Sequence, residues 1–445
     1  MTREHVDLLV RDGLVVTVDP QQRVVHDGFV AVKDGGIVAV GGPDEADAYG
    51  ADEVIEARGC AVMPGLVNAH THAAMTLLRG VADDLPLEEW LNQHIWPIEA
   101  EFVRPEFVYA GTALAAIEML SGGITCFADM YFFQDEVARA ATDIGIRAVL
   151  GEALLDFPSP NAKTPKEGLA IQRAVNERYK DSPWAWGIVM AHAPYSCSAG
   201  VIQDAKALAD EQGLMFYIHL AETEEEVRQI AEKSGGLTPV KYLDSLGVLD
   251  RHTTGAHGVQ LTGEDITMLA ERGAKIVHCP ESNMKLASGM APVVELLEAG
   301  VTVGLGTDGA ASNNDLSMFS EMDTAAKLQK VRLMDPAVLP ARQVVTMATI
   351  GSARCLGLDH LIGSLEVGKR ADMAIVNLMR PHLVPLYDVY STLVYACDPH
   401  DVRDTIVEGR VVMRDREITS VDTTAVVQTA VDIAGRVREF DRTGP

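Results

Sequence analysis

The sequence predicts an α/β fold: a closed (β/α)₈ TIM-type barrel flanked by a small β-sandwich that both chain ends build together. Three observations predict it. Short apolar runs alternate with helical stretches through the middle of the chain, hairpin-like segments occupy both ends, and histidines and acids gather where the apolar runs finish.

The elements are taken in chain order. Residues 6–18 (VDLLVRDGLVVTV) read as two short strands around an Asp12-Gly13 turn. Residues 28–41 repeat the device around Lys33-Asp34-Gly35-Gly36, and Val54 to Val62 adds another strand-like run. Eight strand-like segments follow: GLVNAHTH (65–72), GITCFADM (123–130), IRAVLGEAL (146–154), AWGIVMAHA (185–193), LMFYIHLAE (214–222), TTGAHGV (253–259), AKIVHCP (274–280) and VTVGLGTDG (301–309). Helical stretches such as Pro105–Leu120 and Val201–Gln212 lie between many of them. Repeated strand–helix units imply parallel strands with crossover helices, and eight in roughly 300 residues suit a barrel of usual size about 250. An open doubly wound sheet has little support, because no G-x-G-x-x-G follows the first strand. Near the end, ADMAIVNL (371–378) is a strand and TIVEGRVVMRDREI (405–418) a hairpin turning at Glu408-Gly409-Arg410. The expected division is a composite sandwich from 1–63 and 365–420, a barrel over 64–364, and a C-terminal helical extension over 421–445.

Composition narrows the function classes. Hydrophobic residues are 47% of the 445, enough for a full core. Lys plus Arg number 37 against 64 Asp plus Glu, a net charge of −27, which repels nucleic-acid phosphates and anionic membranes. Neither nucleic acid nor membrane is expected as a partner, and the balance says little about the active site, where a small-molecule partner, an acidic one included, stays open. The six cysteines are spread singly, with no CxxC pair, as suits free thiols in a reducing compartment. Arg3, Glu4 and Asp7 deny the N-terminus the apolar core of a signal peptide, and no apolar run reaches the ~18 residues of a membrane span. A cytoplasmic protein is the expectation. Oligomeric state is open, the apolar stretch Leu386–Tyr395 being readable as a homo-oligomer interface or as core.

The polar residues of the barrel strands carry the chemistry. His70 and His72 stand two apart on the first segment, and the two-residue period of a strand puts both imidazoles on one face. His219 closes the fifth segment, His257 the sixth and Asp308 the eighth. Imidazoles and a carboxylate at strand ends are the ligand set that Zn²⁺ and similar ions prefer. Each residue alone has an ordinary explanation, Asp308 for instance as a cap in its Gly-Thr-Asp-Gly turn. Their joint placement does not. Glu222, three residues after His219, falls at the mouth, where a carboxyl can pass a proton from an activated water to a substrate ring. The plain alternative is a loop acid, since Glu224, Glu225 and Glu226 follow and read as a solvated helix start.

PGLVNAHTH (64–72), HLAET (219–223), AHGVQL (256–261), HCPESNMKL (278–286), GTDGAASNN (306–314) and GSLEVGKRADMAIVNL (363–378) together resemble the motifs of the metal-dependent amidohydrolase superfamily over almost the whole chain. HAAMTLLRGVADDLPLEEWL followed by WPIEAEFV is similar to its 5′-methylthioadenosine/S-adenosylhomocysteine deaminases. The resemblance implies His70, His72, His219 and Asp308 as ligands of one Zn²⁺, with Fe²⁺ or Mn²⁺ as substitutes. It implies Glu222 as proton shuttle and His257 as a group polarising the attacking hydroxide or the developing amino alcohol, with Asp308 catalytic as well as a metal ligand. Trp90 would flank the base, Glu99 would accept from both ribose hydroxyls, and His192 would line the sugar side. The activity implied is hydrolytic deamination of an adenosine-type nucleoside to its inosine analogue.

Members that hold the amino-acid tail of S-adenosylhomocysteine tend to place an arginine at the end of the third strand, where this chain has Gly151-Glu152. Arg173 or Lys163 could stand in for it, and the 5′ substituent is open. Two rival hydrolases share the scaffold. A deaminase or hydrolase of a bare heterocycle (guanine, pterin, triazine) would have no diol for Glu99 to hold. A two-metal ring-opening amidase needs a bridging carboxylate, commonly a modified lysine on the fourth strand, where this chain offers His192. A barrel that merely binds a nucleoside is a third possibility.

Overall fold

The computed structural model describes residues 3–85 and 87–443. Met1 and Thr2 of the expected sandwich segment, Pro86, and Gly444 and Pro445 of the expected C-terminal extension lie outside the described residues. Two nine-stranded sheets organise the chain. One is parallel throughout and runs in sequence order from Leu66–Thr71 through Ile124–Tyr131, Arg147–Leu154, Ala185–Gly187 with Val189–Ala191, Phe216–Leu220, Thr253–His257 and Lys275–His278 to Val303–Leu305. Every segment read as a barrel strand is one, the fourth being interrupted at Ile188. The expected crossover helices form at Pro105–Ser121 and Ala199–Gln212. The first opens on a proline, whose missing N–H costs nothing there, and the second is capped by Ser198, which accepts from Val201 N.

Hydrogen bonds between the first strand and the segment after the eighth close the barrel. Beyond the eighth strand, Asp308 N donates to His70 O over 2.9 Å, and Asn68 Nδ2 and Oδ1 bond Thr307 Oγ1 (2.8 Å) and Thr307 N (3.0 Å). Gly306 permits this approach: a Cβ there would stand 2.7 Å from His70 N. The seam thus brings His70 and Asp308 side by side.

The second sheet is mixed and joins the two chain ends. Cys60–Pro64 pairs antiparallel with Met373–Asn377, Ala374 opposite Met63, while Glu4–Val16 sits between Cys60–Pro64 and Val24–Lys33. The hairpin at Glu408-Gly409 forms as read, joining Val402–Val407 to Arg410–Arg414. The Asp34-Gly35 turn also forms. The Asp12-Gly13 turn does not. Glu4–Val16 is one continuous strand in which Val10 faces Val30 and Gly13 faces Gly28, so one extra residue is accommodated as a bulge with Asp12 at φ 60°. That bend lets one strand pair with Tyr49–Glu56 along its first half and Cys60–Pro64 along its second. The run Val54–Val62 is correspondingly two strands, broken at residues 57–59.

Core side chains fill the barrel and the space under its helices, with smaller clusters within the mixed sheet. The helix Thr423–Thr443 packs near Trp96–Phe102, with Phe440 edge-on to Phe102 at 5.4 Å. Of the stretch 386–395, Val389, Tyr390, Leu393 and Val394 are core, whereas Leu386, Tyr387 and Tyr395 are exposed.

Candidate active site

His70 and His72 leave the first strand on the same face, as the two-residue period requires. His219 and His257 stand at the ends of the fifth and sixth strands, and Asp308 follows the eighth with a left-handed backbone, φ 61°. The ligand atoms of His70, His72, His219 and Asp308 all lie within 4.8 Å of one another. Asp308 Oδ1 is 3.4 Å from His70 Nε2 and 3.1 Å from His72 Nε2. Its other oxygen, Oδ2, accepts from Ser282 Oγ (2.6 Å) and Ser312 Oγ (2.7 Å), so Oδ1 alone is presented to the imidazoles.

The donor set fits a divalent cation on three counts. His72 Nδ1 lies 2.6 Å from Met130 O and His219 Nδ1 2.6 Å from His192 O, the outer support that metal-binding imidazoles ordinarily have. His70, stacked at 8° on Tyr217, has both ring nitrogens buried with no hydrogen-bond partner. Burial pulls His70 down to about 4, so it is a neutral donor near pH 7. His72 goes the other way: burial is the largest single influence and pulls it down, but the bond to Asp308, the charge of that acid, the Met130 carbonyl and Asp129 together exceed it and hold it up at about 9. A cation among these atoms takes the place of that proton.

One cavity above this cluster is lined by His72, Trp90, Glu99, His192, His219, Glu222, His257 and Asp308, together with Tyr131, Leu286 and others. His70 is buried and is not among its lining residues. Glu222 Oε2 faces His257 Nε2 at 3.8 Å, and burial pushes the Glu222 carboxyl up to about 8. Trp90 opens a π-helical turn, Trp90–Ile95, that runs into the helix Trp96–Phe102, and Glu99 projects from that helix. Burial raises Glu99 to about 7, a bond from Tyr131 working against it. His192 Nδ1 meets Ser196 Oγ at 2.7 Å, and burial lowers the ring to about 3.

Several supporting residues escaped the sequence reading. Glu226 is the clearest. It is buried, not solvated: its carboxylate accepts from Ala221 N (2.9 Å) and Glu222 N (2.7 Å), shaping the turn that delivers Glu222. Only Glu224 and Glu225 match a solvent-side reading. Ser282 and Ser312 sit in motifs already singled out, yet a serine on a loop gives no sign of its partner. Glu152 does not line the cavity; it is buried behind it, its N–H donating to Gln172 Oε1. Arg173 is bound to Glu211 on the surface and is no substitute for an arginine at the third strand.

The profile of the amidohydrolase family matches residues 61–412. The chain belongs to that family. A protein of Syntrophobacter fumaroxidans named 5-methylthioadenosine/S-adenosylhomocysteine deaminase is 47% identical over 98% of this chain and 100% of its own. One of Methanothermobacter thermautotrophicus named 5′-deoxyadenosine deaminase is 45% identical over 91% of this chain and 94% of its own. Among solved structures, an adenosine deaminase from Xanthomonas campestris with bound zinc superposes with a TM-score of 0.96 at 42% identity, covering 98% of this chain and 100% of that one. This amidohydrolase is therefore a hydrolase with a divalent-metal site. No described helix is long and apolar enough to cross a membrane.

Proposed function

We propose that this amidohydrolase removes the 6-amino group of an adenosine-type nucleoside as ammonia, leaving the inosine analogue. The observation that carries the reading is a single cavity in which two buried carboxyls have separate tasks: Glu222 beside His257 at the cation cluster, and Glu99 beside Tyr131 and Trp90 on the wall.

His70, His72, His219 and Asp308 would hold one cation, and Zn²⁺ suits their three nitrogens and one oxygen. Such an ion supplies Lewis acidity that brings the pKa of water from about 15.7 towards about 7. Glu222, kept protonated near neutrality by burial, donates to ring N1 as C6 becomes tetrahedral. Asp308, its Oδ2 tethered by two serines, takes a proton from the water and returns it to the departing amino nitrogen. As C6 returns to trigonal, the proton left on the added oxygen passes to Glu222, so oxygen ends on C6, one hydrogen on N1 and the other on ammonia, with both carboxyls restored.

Trp90 offers an indole face to the base, and Glu99 offers two acceptor oxygens to a vicinal diol. A second cavity of about 480 Å³ adjoins the first across Trp96, Glu99, Phe132 and Leu155. A bare heterocycle would leave it empty, whereas a nucleoside has a 5′ substituent to place there. The substrate group is accordingly adenosine, 5′-deoxyadenosine, 5′-methylthioadenosine and S-adenosylhomocysteine. Among the described residues all six cysteines are free and buried, which suits a reducing, cytoplasmic setting.

The deciding experiment follows the fall in adenine absorbance for those four nucleosides and for free adenine in parallel. A nucleoside preference with ammonia release supports the reading. Glu222→Gln should keep the metal and lose ~10²–10⁴-fold in turnover. Preference for adenine, or no ammonia from any of the five, would refute it.

A further inference from the structure

What faces the Nδ1 edge separates His257 from His72 and His219 of the cation cluster. For His72 and His219 that neighbour is a backbone carbonyl, each at 2.6 Å. A carbonyl only accepts, so Nδ1 carries the ring hydrogen and Nε2 keeps a lone pair for a cation. His257 is arranged the other way round. Its Nδ1 meets the side-chain amide of Asn283, whose Nδ2 donates over 3.0 Å. A neutral imidazole has one donor and one acceptor nitrogen. With Nδ1 accepting, the hydrogen of His257 lies on Nε2, the nitrogen that faces Glu222 Oε2 across 3.8 Å.

We propose that Asn283 is a positioning residue that fixes His257 as the Nε2–H tautomer, making it a hydrogen-bond donor to the oxygen being added to the substrate and barring it from serving as a further imidazole ligand. The part concerning substrate oxygen rests on the deaminase reading; the tautomer does not.

The backbone around Asn283 is held in place, while among the described residues His257 is the one hydrogen-bond partner shown for its side-chain amide, whose Oδ1 is buried without one. Asn283 belongs to the short helix Pro280–Lys285 directly after the seventh strand, and its own backbone is tied on both sides, N to Cys279 O at 3.0 Å and O from Ser288 N at 2.9 Å. Its side chain is fully buried, so water does not compete for the amide. His257 has a left-handed backbone, φ 75°, which a non-glycine residue adopts only when its surroundings enforce it, and this turns the ring off the strand towards Asn283. The preceding residue of the helix, Ser282, holds Asp308 Oδ2. One helical turn thereby orients both an acceptor, Asp308, and a donor, His257, in the lining of the same cavity.

The test uses ¹⁵N-histidine-labelled, zinc-loaded enzyme. Two-bond ¹H–¹⁵N spectra report which ring nitrogen carries hydrogen, and comparison with His257→Gln assigns the His257 signals. The expected result is hydrogen on Nε2. Asn283→Asp presents only acceptors to Nδ1, so the hydrogen should move to Nδ1, with kcat down ~10²–10³-fold, as for loss of one preorganised donor, while zinc content holds and KM changes far less. Hydrogen on Nδ1 of wild-type His257 would overturn the proposal, even if Asn283→Asp does not fold. An Asn283→Asp enzyme with an unmoved tautomer, or a moved tautomer and undiminished kcat, would overturn it too. A protein that shows the tautomer and its reversal yet deaminates no nucleoside would keep the assignment and lose the deaminase reading.

Discussion

The phenol of Tyr131 donates to Glu99 Oε1 over 2.6 Å, with both side chains buried in the cavity wall. Burial pushes Glu99 up to about 7, and this bond pulls it back towards ionisation. The acid is neutral below that point and charged above it, and a diol is held better by the charged form. KM for a nucleoside should therefore fall as pH rises through about 7. Tyr131→Phe removes a donor to the charged form, so the midpoint should move up. KM near pH 7 should rise roughly tenfold, in keeping with a bond to a charged group worth ~1.5–3 kcal/mol. Paired KM–pH profiles check this, and an unmoved midpoint counts against it.

Tyr131 also shows where a sequence stops being readable. The barrel was legible because each strand is an apolar run, and the cation cluster was legible because His70, His72, His219 and Asp308 end such runs. Their partners carry no such mark. Glu226 looks like Glu224 and Glu225 in sequence; only the start of the helix Glu224–Ser234 turns it inward, onto two backbone N–H groups. Asp12-Gly13 has the composition of a turn, but pairing with Val24–Lys33 on one side and Tyr49–Glu56 on the other keeps the strand going through a bulge. Asn283 meets His257 only because the turn after the seventh strand folds back beside the sixth. Periodicity encodes the first layer of contacts, and tertiary closure decides the second.

Lys285 ties the segment that carries Trp90 to the rim of the barrel. Its Nζ reaches Asp83 Oδ1 (2.7 Å), Asn314 Oδ1 (2.5 Å) and Ala311 O (3.2 Å), and Asn314 Nδ2 donates to Asp83 Oδ2 (2.9 Å). Lys285→Met should free this clasp and leave the chemistry in place. The expected outcome is a KM several-fold higher with kcat within about twofold, since the clasp positions a wall of the pocket and touches none of the cation-cluster residues or Glu222. A kcat loss as large as that of Glu222→Gln would show that the clasp does more than hold the segment.

Glu152 makes stability depend on pH. Burial raises its carboxyl from 4.5 to about 8, against weaker pulls from Asn161 and Gln134. Between those values the folded chain holds a proton that the unfolded chain has released, so stability falls as pH rises through that window. Glu222 and Glu226, each raised to about 8 by burial, act with the same sign. Glu152→Gln should flatten the slope without abolishing it. Urea melts should find the variant close to wild type at pH 5 and more stable at pH 8. Parallel curves across the window would contradict the assignment.

Arg147 lies at the opposite end of the barrel from the cavity, and its removal should separate folding from catalysis. Fully buried, it donates from Nε to Asp372 Oδ2 (2.5 Å), from Nη2 to Asp372 Oδ1 (2.9 Å) and to Glu408, and from Nη1 to Pro183 O. It thereby joins the third barrel strand to the mixed sheet. Glu408 keeps a second cation, Arg370, but Asp372 would keep only the Glu408 N–H at 2.8 Å. Arg147→Met should therefore cost ~3–5 kcal/mol, because a buried charge loses its partner. Adding Asp372→Leu should win back part of that loss, as replacing a whole buried pair is often near neutral. At temperatures where each variant is folded, kcat and KM should match wild type, since neither residue lines the cavity. Thermal melts and a double-mutant cycle give the coupling. If the second substitution deepened the loss, Arg147 and Asp372 would be acting through packing and not as a charge pair.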